Sequence, residues 1–113
     1  MYPSFNVNLG PIKLSFINTL LPLEVVGLHK DKEFTDFVGI NNLNDLNNSI
    51  SFVYENYNKI NTIPKKANLI ISKRERDKFS DFENLLIVEN VHEAVAKISL
   101  VFYRDINDDD INI

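Results

Sequence analysis

The chain has 113 residues, 44% hydrophobic and 25% charged, which suits one soluble domain with a modest core. The formal net charge of −4 argues against a general nucleic-acid binder, which needs a basic face for the phosphate backbone. With no cysteine there is no disulfide, thiolate metal site or cysteine nucleophile, and with no signal-peptide pattern and no apolar run near the roughly 18 residues of a membrane span, a cytoplasmic protein without a membrane span is expected.

Residues 5–9 alternate apolar and polar, which predicts a short edge strand, broken by Gly10-Pro11. Leu14, Ile17, Leu20 and Leu21 recur at helical spacing, so a helix is expected over 13–20, stopped by Pro22. Residues 23–26 read as a strand ending at Gly27. After a charged turn over 28–33, the β-rich segment 34–40 is expected to pair with it as a hairpin. The Asn-rich stretch 41–48 is a turn in which only Leu43 and Leu46 demand packing. A strand over 50–54 follows, then an irregular or helical piece over 57–63 closed by Pro64.

The second half alternates strand and helix. Ala67-Asn68-Leu69-Ile70-Ile71 and Leu85-Leu86-Ile87-Val88 are nearly continuous apolar runs, the pattern of neighbouring strands covered on both faces. Between them, the charged residues 73–78 read as a solvated loop or helix face. Asn90, with Glu93 at capping spacing, opens a helix whose apolar face is Val91, Ala94, Val95, Ile98, Val101 and Phe102, ending near Tyr103 or Arg104. The expected class is α/β: a small single domain with a mixed sheet of about five strands and two or three helices. The expected divisions are an N-terminal extension over 1–12, a domain over 13–104, and a tail or linker over 105–113.

Catalytic tools are scarce. His29 and His92 lack acids or hydroxyls at ligand or triad spacing and read as surface residues. Asp108-Asp109-Asp110 lacks the glycine turn and closing glutamate of a calcium loop. Three glycines, none in a Gly-rich loop, leave no phosphate cradle of the usual type. Glu24 and Asp36 are candidate paired carboxylates only if their strands are adjacent. No catalytic residue, metal or cofactor is expected in this chain.

The binding candidates lie together. Phe52, Tyr54, Asn56 and Tyr57 follow one another along a strand and its turn, and aromatics beside an amide can stack on a flat polar ring and read its edge. On the bland reading, Phe52 and Tyr54 are ordinary strand residues sharing a face.

In order and spacing, the helix at 13–21, the strand end Val38-Gly39-Ile40, the block Ile50-Ser51-Phe52-Val53, the run at 67–71, Leu86-Ile87-Val88-Glu89-Asn90 and Ala94-Val95-Ala96-Lys97-Ile98 with Phe102 resemble one family. It is the N-terminal, non-repeat domain of the UDP-3-O-acylglucosamine N-acyltransferases of lipid A synthesis, whose fold is similar to the N-terminal domain of the Mur ligases. The resemblance covers 13–103 and implies recognition of the uracil of a UDP-sugar. It implies that Phe52 stacks on the base, that a tyrosine a few residues later closes the other face, and that an asparagine between them contacts the base edge. The family places these at Glu55 and Asn58; here Asn56 and Tyr57 stand one position away from each, and Tyr54 is a further candidate. The usual proline after the helix-opening asparagine is Val91.

The resemblance further implies a UDP- or dTDP-linked amino sugar as ligand. It also implies a partner catalytic domain, a trimeric left-handed β-helix with its own catalytic histidine, toward which residues 106–113 would lead. The parent activity would be N-acyl transfer in lipid A or, as residues 1–11 suit slightly better, O-antigen or other surface-glycan synthesis. The alternative is a non-catalytic interaction module that keeps the fold without the base site, using its exposed aromatics and the Lys73-Arg74-Glu75-Arg76 cluster.

Overall fold

The computed structural model describes residues 6–8 and 11–105, with 6–8 and 104–105 described by their backbone alone. In chain order these form β1 (Asn6–Asn8), β2 (Ile12–Lys13), α1 (Leu14–Leu20), β3 (Glu24–Val26), β4 (Glu33–Phe34), β5 (Asp36–Gly39), β6 (Ser49–Phe52), β7 (Asn68–Ser72), β8 (Asn84–Val88), α2 (Val91–Phe102) and β9 (Tyr103–Asp105). Short 3₁₀ segments at Ile40–Asn42, Ile60–Thr62 and Lys73–Phe79 lie in the connections. The fold is α/β, with a five-stranded mixed sheet in the order β3-β8-β7-β6-β5 and two separate two-stranded ladders, β1–β9 and β2–β4. Strands β5 to β8 are mutually parallel, and β3 joins β8 antiparallel.

The two apolar runs give this sheet its two buried faces, because successive strand residues point to opposite sides. Ile50, Ile70, Leu86 and Val88 pack with Phe37 against α1 and α2. Their neighbours Leu69, Ile71, Leu85 and Ile87 pack with Val53, Phe79 and Phe82 beneath the 3₁₀ connections, where Leu43 and Leu46 also pack. Every residue of β7 is buried. Each such aliphatic side chain contributes on the order of 1.5–3 kcal/mol relative to exposure. Helix α2 is capped by Asn90, whose Oδ1 accepts from the Glu93 N–H at 3.0 Å, and it buries Val91, Ala94, Ile98 and Phe102. Among the described residues no helix is long and apolar enough to cross a membrane.

Two expectations are corrected. Segments 23–26 and 34–40 do not form a hairpin: β3 and β5 occupy opposite edges of the sheet. The connection between them instead caps α1, with the Lys32 and Lys30 carbonyls accepting from the Leu14 and Ser15 N–H groups at 2.9 Å. Lys13 supplies no side-chain cap, so this tertiary cap satisfies donors that α1 cannot satisfy itself. Glu24 and Asp36 are consequently not a carboxylate pair; Glu24 meets Arg76 at 2.6 Å, and Asp36 accepts from the Tyr103 hydroxyl. The N-terminal edge strand forms as expected, but away from the main sheet: Asn6–Asn8 pairs antiparallel with Tyr103–Asp105 in a two-stranded ladder, where each strand is an edge. Phe5, Leu9 and the Asp108–Asp110 triplet lie outside the described residues.

Candidate functional site

Because β5 to β8 are parallel, the residues that follow them converge on one rim of the sheet. In open α/β sheets this carboxyl end is where ligands bind, since the strands stop there and the connecting loops supply free groups. Two adjoining cavities lie on this rim. One, of about 360 Å³, is lined by Gly39, Ile40, Asn41, Asn42, Phe52, Tyr54, Glu55, Asn56 and Tyr57. The other, of about 350 Å³, is lined by Tyr54, Glu55, Asn56, Arg74, Glu89, Asn90, Val91 and His92. All four sequence candidates, Phe52, Tyr54, Asn56 and Tyr57, line the first cavity.

Phe52 ends β6 with its ring half-buried, 5.0 Å from Phe37, which in turn stacks on Phe102 at 6.0 Å. The ring is thus held by the core while part of it faces the cavity. A Cβ at Gly39 would lie 3.4 Å from Phe52 Cε2 and Cζ, so glycine there leaves room beside the ring. Val53 is buried on the opposite face, and its N–H extends the ladder to the Ile70 carbonyl at 3.0 Å. Tyr54 returns to the Phe52 side, the two ring centroids 5.4 Å apart. It is 40% exposed, and His92 stacks on it at 4.3 Å with 17° between the planes.

Asn56 has φ +68, a left-handed conformation that Asn adopts more readily than most residues. Its N–H donates to Glu75 Oε1 at 2.6 Å, and the Lys78 ammonium approaches the other carboxylate oxygen at 2.7 Å. The bond from Lys78, then that from Asn56, holds the Glu75 carboxyl below its ordinary range. This charge-assisted contact fixes the turn and leaves the Asn56 side-chain amide without a hydrogen-bond partner among the described residues. Tyr57 is half-buried, and its hydroxyl donates to Asn41 Oδ1 at 3.4 Å across the cavity. Glu55, at the position where the family has asparagine, lines both cavities and accepts from Ser72 Oγ at 2.8 Å. Asn58, at the family's tyrosine position, is exposed and lines neither.

Two residues of the rim, His92 and Arg74, and the inward turn of Glu75 are not marked by the local sequence pattern. His92 is exposed, as expected of a surface residue, and it stacks on Tyr54. Arg74, exposed like most of its charge cluster, lines the second cavity. Within the same cluster Glu75 turns inward to only 8% exposure. The signal that finds His92 and Arg74 is topological: each lies just beyond the carboxyl end of a buried parallel strand, β8 and β7 respectively. Chemically, the rim offers ring faces and three amides, from Asn41, Asn42 and Asn56, suited to a flat heterocycle with mixed donors and acceptors.

Compared with known protein families, the sequence has no match, and no curated protein matches it.

Proposed function

We propose that the carboxyl-end rim recognises a nucleotide-linked sugar, with the base against Phe52 and Tyr57 and its edge read by Asn56. The observation that carries this reading is the convergence of Phe52, Tyr54, Asn56 and Tyr57 on one cavity, opened beside the Phe52 ring by Gly39. Base–aromatic stacking contributes on the order of 1–3 kcal/mol per base, so two rings and one amide suffice for weak, selective binding. A uracil or thymine edge alternates acceptor, donor and acceptor, and one asparagine amide meets an adjacent acceptor and donor of it with one N–H and its carbonyl. Together with the resemblance set out above, this favours a UDP- or dTDP-linked amino sugar as ligand. The domain then positions substrate for N-acyl transfer by a separate catalytic domain, in lipid A, O-antigen or other surface-glycan synthesis.

Calorimetric titration with UDP-N-acetylglucosamine tests the reading. Wild type is expected to bind weakly and Phe52→Ala not at all while keeping its circular dichroism. Equal binding by both would contradict it.

One observation favours a second reading. The Tyr54 ring is already stacked by His92, so part of the aromatic surface is committed internally, as in a module that has kept the fold without the base site. Such a module would bind no nucleotide at millimolar concentration.

A further inference from the structure

We propose that the second cavity, beside Tyr54, holds the phosphates of the nucleotide, with Arg74 as the phosphate-binding residue. This rests on the nucleotide reading of the adjoining cavity and adds the part of the ligand that reading leaves unplaced.

The charges on the Lys73–Phe79 segment are unevenly paired. Three of its four cations have partners: Lys73 lies 3.7 Å from Glu89, Arg76 lies 2.6 Å from Glu24, and Lys78 lies 2.7 Å from Glu75. Arg74 lines the cavity, and its guanidinium makes no ion pair among the described residues. The acids of the same lining are engaged, Glu89 by Lys73 and Glu55 by the Ser72 hydroxyl. The Arg74 backbone is pinned by its N–H donating to Ser72 Oγ at 3.3 Å, so the side chain starts from a fixed base. His92, held flat against Tyr54, has no hydrogen-bond partner for its ring nitrogens among the described residues.

A guanidinium offers a planar fork of donors that matches two phosphate oxygens at once. Tyr54, Glu55 and Asn56 line both cavities, so a ligand with its base against Phe52 passes directly from one to the other. Glu55 and Glu89 oppose an anion even when engaged. Arg74 is exposed, and the gain it gives falls as salt rises.

The test is an NMR titration of the labelled chain and of Arg74→Ala with three probes: uridine, UDP and inorganic pyrophosphate. In wild type, UDP is expected to bind about tenfold more tightly than uridine, the scale of one hydrogen bond to a charged group. It should shift Arg74, Asn90 and His92 as well as Phe52 to Tyr57. Arg74→Ala is expected to bring UDP down to the affinity of uridine and leave uridine unchanged. UDP binding no tighter than uridine, or unaffected by Arg74→Ala, overturns the phosphate cavity and leaves the base reading intact. If neither uridine nor UDP binds, the base reading fails and pyrophosphate decides alone. Arg74-dependent shifts then uphold the anion cavity, and their absence sinks it.

Discussion

The two ends of the parallel strands are built from similar residues and use them in opposite ways. At the amino end the strand asparagines are spent on the fold. Asn68, 3% exposed, directs its Nδ2 at the carbonyls of Leu46, Asn47 and Ser49 at 3.1–3.4 Å. Asn84 Nδ2 donates to the Lys66 carbonyl at 3.1 Å, and Lys65 meets Asp81 at 2.9 Å, which holds the Asp81 carboxyl below its ordinary range. A hollow exists there too, lined in part by Asn68 and Asn84, but the amide nitrogens of both already donate to backbone carbonyls. At the carboxyl end the Asn56 side chain and the Arg74 guanidinium are left over, and aromatic rings stand half-exposed beside them. Asparagine alone therefore says little; what matters is whether the fold has already used its donors.

Substitutions at the two ends should separate stability from binding. The largest stability loss is expected at the amino end, from Gly27→Ala. Gly27 has φ +77, and an added Cβ would lie 1.8 Å from the Glu83 carbonyl oxygen, which is backbone and cannot move aside. A cost of about 2–5 kcal/mol is expected from the left-handed backbone and the overlap together, read as a lower urea midpoint. Next, Asn68→Ala should cost about 1–3 kcal/mol by leaving buried carbonyls unsatisfied. The nucleotide affinity of its folded fraction should not change, and a matching loss of affinity would break the distinction between the ends.

Glu75 provides the third test, through pH. Its folded carboxyl titrates below the ordinary 4.5, so its stabilisation is complete above that value and is lost as pH falls through the lower folded value. Acid should loosen the Asn56 turn, seen as faster exchange of the Asn56 amide, and Glu75→Gln should flatten that dependence at the price of a weaker turn at neutral pH. The smallest stability change is expected from Gly39→Ala, within about 0.5 kcal/mol, because its backbone is extended and nothing buried is displaced. Yet the added methyl enters the space beside the Phe52 ring, so nucleotide binding should fall at least about tenfold, the equivalent of about 1.4 kcal/mol. Unchanged binding in Gly39→Ala would mean the base does not lie there.

Much of this fold is legible in the chain because its signals are local. The runs at 67–71 and 85–88 announce strands covered on both sides, and Asn90 with Glu93 announces the start of α2. Strand partners are another matter. Nothing in 23–40 distinguishes a hairpin from a connection that crosses to the far edge of the sheet, because the decisive contacts, Lys30 and Lys32 carbonyls on α1, are backbone groups that any residue carries. Four site candidates were legible since they are contiguous, while Arg74 and His92 reach the rim only when three strands lie side by side. Glu75 was hidden by its neighbours: in a run of charges no residue type marks the one that turns inward to hold the Asn56 turn.

The most direct measurement is a heteronuclear NMR titration of the labelled chain with UDP-N-acetylglucosamine, with dTDP as comparison, mapping shifts onto the two ends of the strands. Saturable shifts at the carboxyl-end rim, on Gly39, Phe52, Tyr54, Asn56 and Tyr57 and at the adjoining Arg74, Asn90 and His92, with Asn68 and Asn84 still, are the expected result. A flat titration of the folded protein, or shifts centred on Asn68 and Asn84, would contradict a nucleotide site at the carboxyl end.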